Sequence, residues 1–329
     1  VKPDFWLMGE VIHGDYSRWV NGETLHSVTN YALHKALYSG HNDHNYFEIA
    51  HTVKYLQNMG NLDLYNFVDN HDVERIYTKL SHFTPVHILL YTLPGVPSIY
   101  YGSEFGIEGR KERSSDDSLR PALSLDDYET ALGDNPCTAL IAALGQIRQH
   151  TPALSYGNYA ELHLTNRQFA FARDLNDVRV VVTVNNDDNA ASMDLPAGNA
   201  VEYIGALSGQ KVAVQDGRIN VTVPANSGEI WVPSGDMPEY KPFKVEISVK
   251  EETVTDEESI PADSEAPSSA TEPVHFDPNK SPEDMSVAEL QAAILAKMAN
   301  NGPVSDQMKK TVNENIWHDS LVNWLKSFR

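Results

Sequence analysis

The 329 residues predict an α/β chain: a parallel sheet with crossover helices, then an antiparallel β domain, then a small helical module. Three observations carry this reading. Strand-like and helix-like patterns alternate over residues 1–150. Between about 155 and 235 the hydrophobic period switches to two, and beyond 235 the composition changes twice.

In order along the chain, Asp4–Met8 (DFWLM) is a short apolar strand that ends at Gly9-Glu10. Leu25–Tyr31 (LHSVTNY) reads as a second strand, followed by helical patterns over 32–38 and 44–58. Leu64–Val68 (LYNFV) is a third strand, ending at Asp69-Asn70-His71-Asp72. A helix over about 83–92 leads through the Pro94-Gly95 turn to a fourth strand, Val96–Tyr101. A last helix covers about 136–149. Strands that alternate with helices favour a parallel sheet. In the next segment, 155–235, the stretches Phe169–Arg173, Val178–Val184, Ile219–Val223 and Glu229–Val232 alternate or run β-branched, separated by Asn, Asp, Gly and Pro. That pattern predicts a compact antiparallel domain.

Residues 236–280 carry 12 acidic against 4 basic residues and six of the 18 prolines, so little apolar surface is available to offset the entropy of ordering. This stretch reads as an acidic, Pro-rich linker. In 281–329, Ser286 and Glu289 form a capping-box pattern, and Trp317, Leu321, Trp324, Leu325 and Phe328 recur at helical spacing. A helical tail of that size, with no disulfide or metal, rarely holds a core alone, so it is expected to dock in cis or to mediate self-association.

Charge and composition exclude several functions. A formal net charge of −21 argues against nucleic acid and anionic membranes as partners. No apolar run approaches the ~20 residues of a membrane-spanning helix. The single cysteine, Cys137, excludes an internal disulfide and a multi-thiolate zinc site, and leaves the compartment open. The 13 histidines contain no HExxH, and His41, Asp43 and His44 lack further ligands at metal spacing, so no metal or other cofactor is expected in this chain. The chain opens on Val1 and enters a strand at once, which predicts a partial or processed polypeptide.

Two acids stand apart. Glu10 and Asp72 each leave the carboxyl end of a predicted parallel strand, where αβ-barrels place catalytic groups. Two carboxyl groups over one pocket can divide into a protonated acid and an ionised base, which suits chemistry on a glycosidic bond. His71 is placed to donate hydrogen bonds to sugar hydroxyls. Acid pairs such as Asp116-Asp117 are read as turn residues.

The strings GEV at 9–11, FVDNHD at 67–72 and GVPSIYYGSEFG at 95–106 resemble, in order and spacing, the motifs of strands five, seven and eight of the α-amylase family, glycoside hydrolase family 13. LHSVTNY at 25–31 looks like the strand-six segment, and RKERSSDDSLRPAL at 110–123 resembles the loop after strand eight in maltodextrin-degrading members. The likeness covers about 1–235. It implies the C-terminal half of a (β/α)8 barrel over 1–150, then a β-sandwich domain over 155–235. It also implies a retaining α-glucan hydrolase acting on α-1,4-linked maltodextrin or starch. By the same resemblance Glu10 matches the general acid/base, Asp72 the acid that stabilises the transition state, and His71 a sugar contact beside the scissile bond. Asn70 matches a positioning residue of the substrate site. Tyr100, Tyr101 and Glu104 are as readily structural as functional.

One departure qualifies the match. The family's nucleophile aspartate follows strand four in a GFRxD-type string, which this sequence lacks. Arg173-Asp174 lies in the β domain and cannot substitute. The nucleophile, with any calcium-associated loop domain, is expected upstream of Val1, and this chain alone is expected to be inactive. Two other readings stand beside hydrolysis: a 4-α-glucanotransferase on the same fold, and an inactive barrel remnant that serves as a binding or assembly module.

Overall fold

The computed structural model describes residues 5–236, 280–282, 285–300 and 325–326. They fall in two units, Val1–Glu252 and Thr253–Arg329.

The first unit opens with four short strands: β1 (Met8–Gly9), β2 (Ser27–Val28), β3 (Tyr65–Asn66) and β4 (Val96–Pro97). Met8 pairs with Ser27 and Tyr65 with Val96, both parallel, and a bridge between Thr29 and Tyr65 joins the two pairs. The strands therefore run side by side in chain order. Helices α1 (Tyr31–Asn42) and α2 (Tyr46–Gln57) connect β2 to β3, and α3 (Phe83–Thr92) connects β3 to β4. After β4 come a turn of helix α4 (Ala131–Asp134), then α5 (Pro136–His150) and α6 (Pro152–Tyr156).

The ladders are shorter than the apolar runs suggest, because side chains take over where backbone pairing stops. Beyond Gly9, the Thr29 hydroxyl accepts from Val11 N at 2.9 Å and donates to Val11 O at 3.2 Å. Buried Asn30 and Asn66 join side chain to side chain at 2.8 Å, and Asn66 Nδ2 also donates to Pro94 O at 2.8 Å. Asn30 caps α1 as well, accepting from Leu33 N, which is why LHSVTNY ends as a helix start at Tyr31 rather than as a strand. At the other end of the segment, Asn135 accepts from Cys137 N and Thr138 N ahead of Pro136, a strong start for α5.

Helix α3 is apolar nearly all round and almost wholly buried, since it lies within the core rather than on its surface. That core continues into the β domain. A six-stranded antiparallel sheet runs in the order β10 (Lys211–Ala213), β9 (Glu202–Gly205), β12 (Ser227–Pro233), β7 (Val178–Asn185), β6 (Gln168–Leu175) and β5 (Asn158–Leu164). A second pair, β8 (Ala191–Pro196) with β11 (Arg218–Val223), covers one face. Phe169, Phe171, Val182 and Ile230 point into the core shared with the helices, whereas Ala170, Val181 and Trp231 point toward Met193, Leu195 and Val221. Both faces are apolar, so β6 and β7 read as continuous runs instead of alternating ones. Arg173 is buried in β6, bonded to the carbonyls of Thr92 and Gly157, and Asp174 pairs with Arg179.

In the second unit, α7 (Val287–Asn300) begins with the expected capping box: Ser286 N donates to Glu289 Oε2 at 2.7 Å and Glu289 N to Ser286 Oγ at 3.3 Å. Nearly all of the acidic stretch 236–280, and Trp317, Leu321, Trp324 and Phe328 of the expected tail stripe, lie outside the described residues. Among those described, no helix is long and apolar enough to cross a membrane.

Candidate active site

Parallel pairing fixes which end of each strand carries chemistry. Glu10 follows β1 and the Asp69–Asp72 turn follows β3, so both leave the sheet at its carboxyl end. They belong to strands that are not neighbours, and α1, which follows β2 between them, links the two. Tyr31, the first residue of α1, donates its hydroxyl to Glu10 Oε1 at 3.0 Å, and Asn70 Nδ2 lies 3.2 Å from the same hydroxyl. The Tyr31 ring meets Phe67 edge-on at 4.9 Å, which fixes its direction. Burial pushes the Tyr31 hydroxyl above its ordinary pKa; the Asn70 hydrogen bond opposes this and Glu10 reinforces it.

The turn itself is built by Asn70. Its Oδ1 accepts from Asp72 N at 2.8 Å and Val73 N at 3.1 Å, an Asx-type turn that presents His71 and Asp72 outward. Arg120 Nη2 donates to Asp72 Oδ1 at 2.9 Å and to Asp116 Oδ2 at 3.1 Å, while its Nε donates to His71 O at 3.0 Å. Lys111 Nζ reaches Asp72 O at 2.8 Å and Asp116 Oδ1 at 3.3 Å. His71 Nε2 lies 3.4 Å from Asp72 Oδ2. Asp72 is thus met by cations from the loop after β4, with its side chain still 41% exposed to solvent.

A buried layer supports this surface. Asp69, 2% exposed, accepts from Ser103 Oγ at 2.8 Å and from Ile76 N at 3.0 Å. Burial raises its carboxyl pKa, against those hydrogen bonds. Fully buried Arg75 donates to Tyr101 O at 2.6 Å and Leu119 O at 2.8 Å, and its guanidinium lies 4.2 Å from the centre of the Tyr100 ring. The β3 turn and the β4 loop are therefore locked to one another from beneath. Tyr101 donates to Pro121 O at 2.9 Å, and Thr138 Oγ1 donates to the Glu104 carbonyl at 2.6 Å. These contacts give both residues a structural task.

The structure brings Glu10, Asn70, His71 and Asp72 to one end of the sheet. Sequence reasoning missed Tyr31, Lys111, Asp116 and Arg120. The alternating charges of RKERSSDDSLRPAL were the available signal, and Asp116 proves to be an ion-pair partner as well as a turn residue. Among the described residues, no group of three or more His, Cys, Asp or Glu side chains comes together as a metal site would require. A cavity of about 400 Å³ lies at the opposite, amino ends of β3 and β4, beside Leu64 and Gly95. Size alone therefore does not locate the chemistry; the strand ends do.

A parallel α/β unit with two carboxyl groups at its strand ends is thus joined to an antiparallel β domain. Residues 1–157 match the family model for the α-amylase catalytic domain and residues 157–231 that for the α-amylase C-terminal domain, so the chain belongs to the α-amylase family. It is 25% identical over 244 residues to neopullulanase 2 of Thermoactinomyces vulgaris, covering 70% of this chain and 40% of that protein. It is 28% identical over 180 residues to a cyclomaltodextrin glucanotransferase of Niallia circulans, covering 51% of this chain and 24% of that protein. The solved α-amylase of Malbranchea cinnamomea superposes with a TM-score of 0.61 at 21% identity, over 71% of this chain and 52% of that one. The chain thus spans less than half the length of those two relatives.

Proposed function

We propose that this chain is the acid/base-bearing part of a retaining α-glucan hydrolase, contributing strands five to eight of a (β/α)8 barrel. In this reading 1–150 is the barrel portion, 155–235 the β domain, 236–280 a linker and 281–329 a helical tail. The observation that carries it is the tie from Glu10 through Tyr31 and Asn70 to the Asp72 turn, which holds two carboxyl groups over one end of the sheet. Glu10 protonates the departing glycosidic oxygen while a nucleophilic carboxylate attacks the anomeric carbon. Ionised Glu10 then takes a proton from the water that releases the sugar. Asp72 stabilises the oxocarbenium-like transition state, His71 contacts the sugar, and Asn70 sets the turn. The nucleophile is supplied by polypeptide outside these 329 residues, together with the remaining strands and any calcium bound there.

The family and the relatives' names support an α-glucan substrate, which we take to be α-1,4-linked maltodextrin or starch. Transfer to a sugar hydroxyl in place of water is the second reading, favoured by the match to a cyclomaltodextrin glucanotransferase. Maltotriose separates the readings. This chain assembled with polypeptide that supplies the remaining strands (the completed enzyme) should release glucose and maltose. Products longer than maltotriose would assign a transferase, and no turnover would favour an inactive remnant. Turnover by the 329-residue chain alone would overturn the shared-barrel reading.

A further inference from the structure

The hydrogen bonds between the β3 turn and Glu10 have a fixed direction. Asn70 Oδ1 accepts two backbone N–H groups, from Asp72 and Val73, so the amide cannot be turned about without losing both. Its Nδ2 therefore faces Tyr31, and an amide nitrogen only donates. The Tyr31 oxygen accepts that bond, which leaves its single proton for Glu10 Oε1, 3.0 Å away. Oε1 is then an acceptor whatever the charge on Glu10.

We propose that Asn70 and Tyr31 are positioning residues that fix the protonation site of Glu10: Oε1 is held as the acceptor, and Oε2 carries the proton exchanged with the glycosidic oxygen. A carboxylic acid whose proton could settle on either oxygen would spend part of its time with the wrong one presented. The relay removes that choice, and ties it to the same turn that presents His71 and Asp72. The proton's location rests on these hydrogen bonds alone; its catalytic use rests on Glu10 being the acid/base. Besides Glu10, the ionisable group acting on Tyr31 is Asp72 of the β3 turn, which is itself met by His71, Arg120 and Lys111. His13 and Asp15 follow on the segment of Glu10 itself.

Tyr31→Phe removes the donor but keeps the ring against Phe67, so it preserves packing. Asn70→Asp keeps the acceptor for the two backbone N–H groups and replaces Nδ2 by an oxygen that competes for the Tyr31 proton. The Glu10 carboxyl group is observed directly in the full 329-residue chain carrying carboxyl-13C glutamate, its signal assigned by its loss in Glu10→Gln. The carboxyl 13C shift follows the hydrogen bonds that its oxygens accept, so Tyr31→Phe and Asn70→Asp should each move that signal at a fixed pH. An unmoved Glu10 signal in Tyr31→Phe overturns the relay. In the completed enzyme, Tyr31→Phe should slow turnover of maltotriose more than that of maltosyl fluoride, whose leaving group needs little protonation. A signal that moves while both substrates slow equally would leave the relay standing and remove Glu10 from the acid/base role.

Discussion

Arg120 Nη2 lies 2.9 Å from Asp72 Oδ1, across 48 positions of sequence, and the same side chain reaches the carbonyl of His71 at 3.0 Å. One arginine from the β4 loop therefore fixes both the carboxylate and the backbone of the β3 turn. The pair is open to water, with side chains 45% and 41% exposed, so its contribution to stability is small and its contribution to geometry is the larger effect.

Arg120→Gln should accordingly change unfolding free energy by no more than about 1 kcal/mol. In the completed enzyme it should lower kcat on maltotriose by roughly tenfold or more, as expected when a charged group loses its orientation in the transition state. Urea unfolding and steady-state rates measure the two effects separately. A variant with kcat intact would make the ion pair incidental.

For the two carboxyl groups, different signatures are expected. Glu10→Gln should abolish turnover of unactivated maltooligosaccharides, while a substrate with a good leaving group still undergoes the first step. Asp72→Asn should lower kcat with little change in ground-state binding, and His71→Ala should weaken both. Near-normal maltotriose hydrolysis by Glu10→Gln, or a kcat within a few-fold of wild type for Asp72→Asn, would refute the respective role.

Three buried histidines predict acid sensitivity. Burial lowers the pKa of His34 and His87 to about 4 and that of His41 to about 3, from an ordinary value of 6.5. Between those values the unfolded chain binds protons that the folded chain does not, so stability is complete above 6.5 and falls as pH drops toward 4. The urea midpoint of the full chain should decline steadily from pH 7 to pH 4.5. His34→Gln should make that decline shallower, and an unaltered slope would show that His34 takes no part.

Gly95 precedes β4 with φ +113°, and a Cβ there would stand 2.6 Å from Asn66 Nδ2 and 2.7 Å from Leu64 O. Neither neighbour can yield, since Asn66 is held by Asn30 and by Pro94 O. Gly95→Ala should therefore cost about 2–4 kcal/mol, combining backbone strain with overpacking. Thermal unfolding measures it; a loss below about 1 kcal/mol would mean that the β3–β4 junction relaxes freely.

Much of this protein was legible in its residues taken in order. Hydrophobic period separated the α/β portion from the β domain, because a helix face repeats near 3.6 and a strand face at 2. Ser286 and Glu289 announced the start of α7 through local hydrogen bonding that needs no distant partner. FVDNHD and GEV marked Glu10, Asn70, His71 and Asp72 as residues leaving strand ends. What sequence could not decide was which separate segments meet. Tyr31 reads as the end of a strand, yet Asn30 turns it into the first residue of α1 and aims its hydroxyl at Glu10. Arg120 and Lys111 read as members of a charged loop, and only the lock of Arg75 and Asp69 beneath brings that loop onto Asp72. Local periodicity specifies an element and its buried face; long-range partners depend on loop paths and side-chain reach, which exist only once the chain has packed.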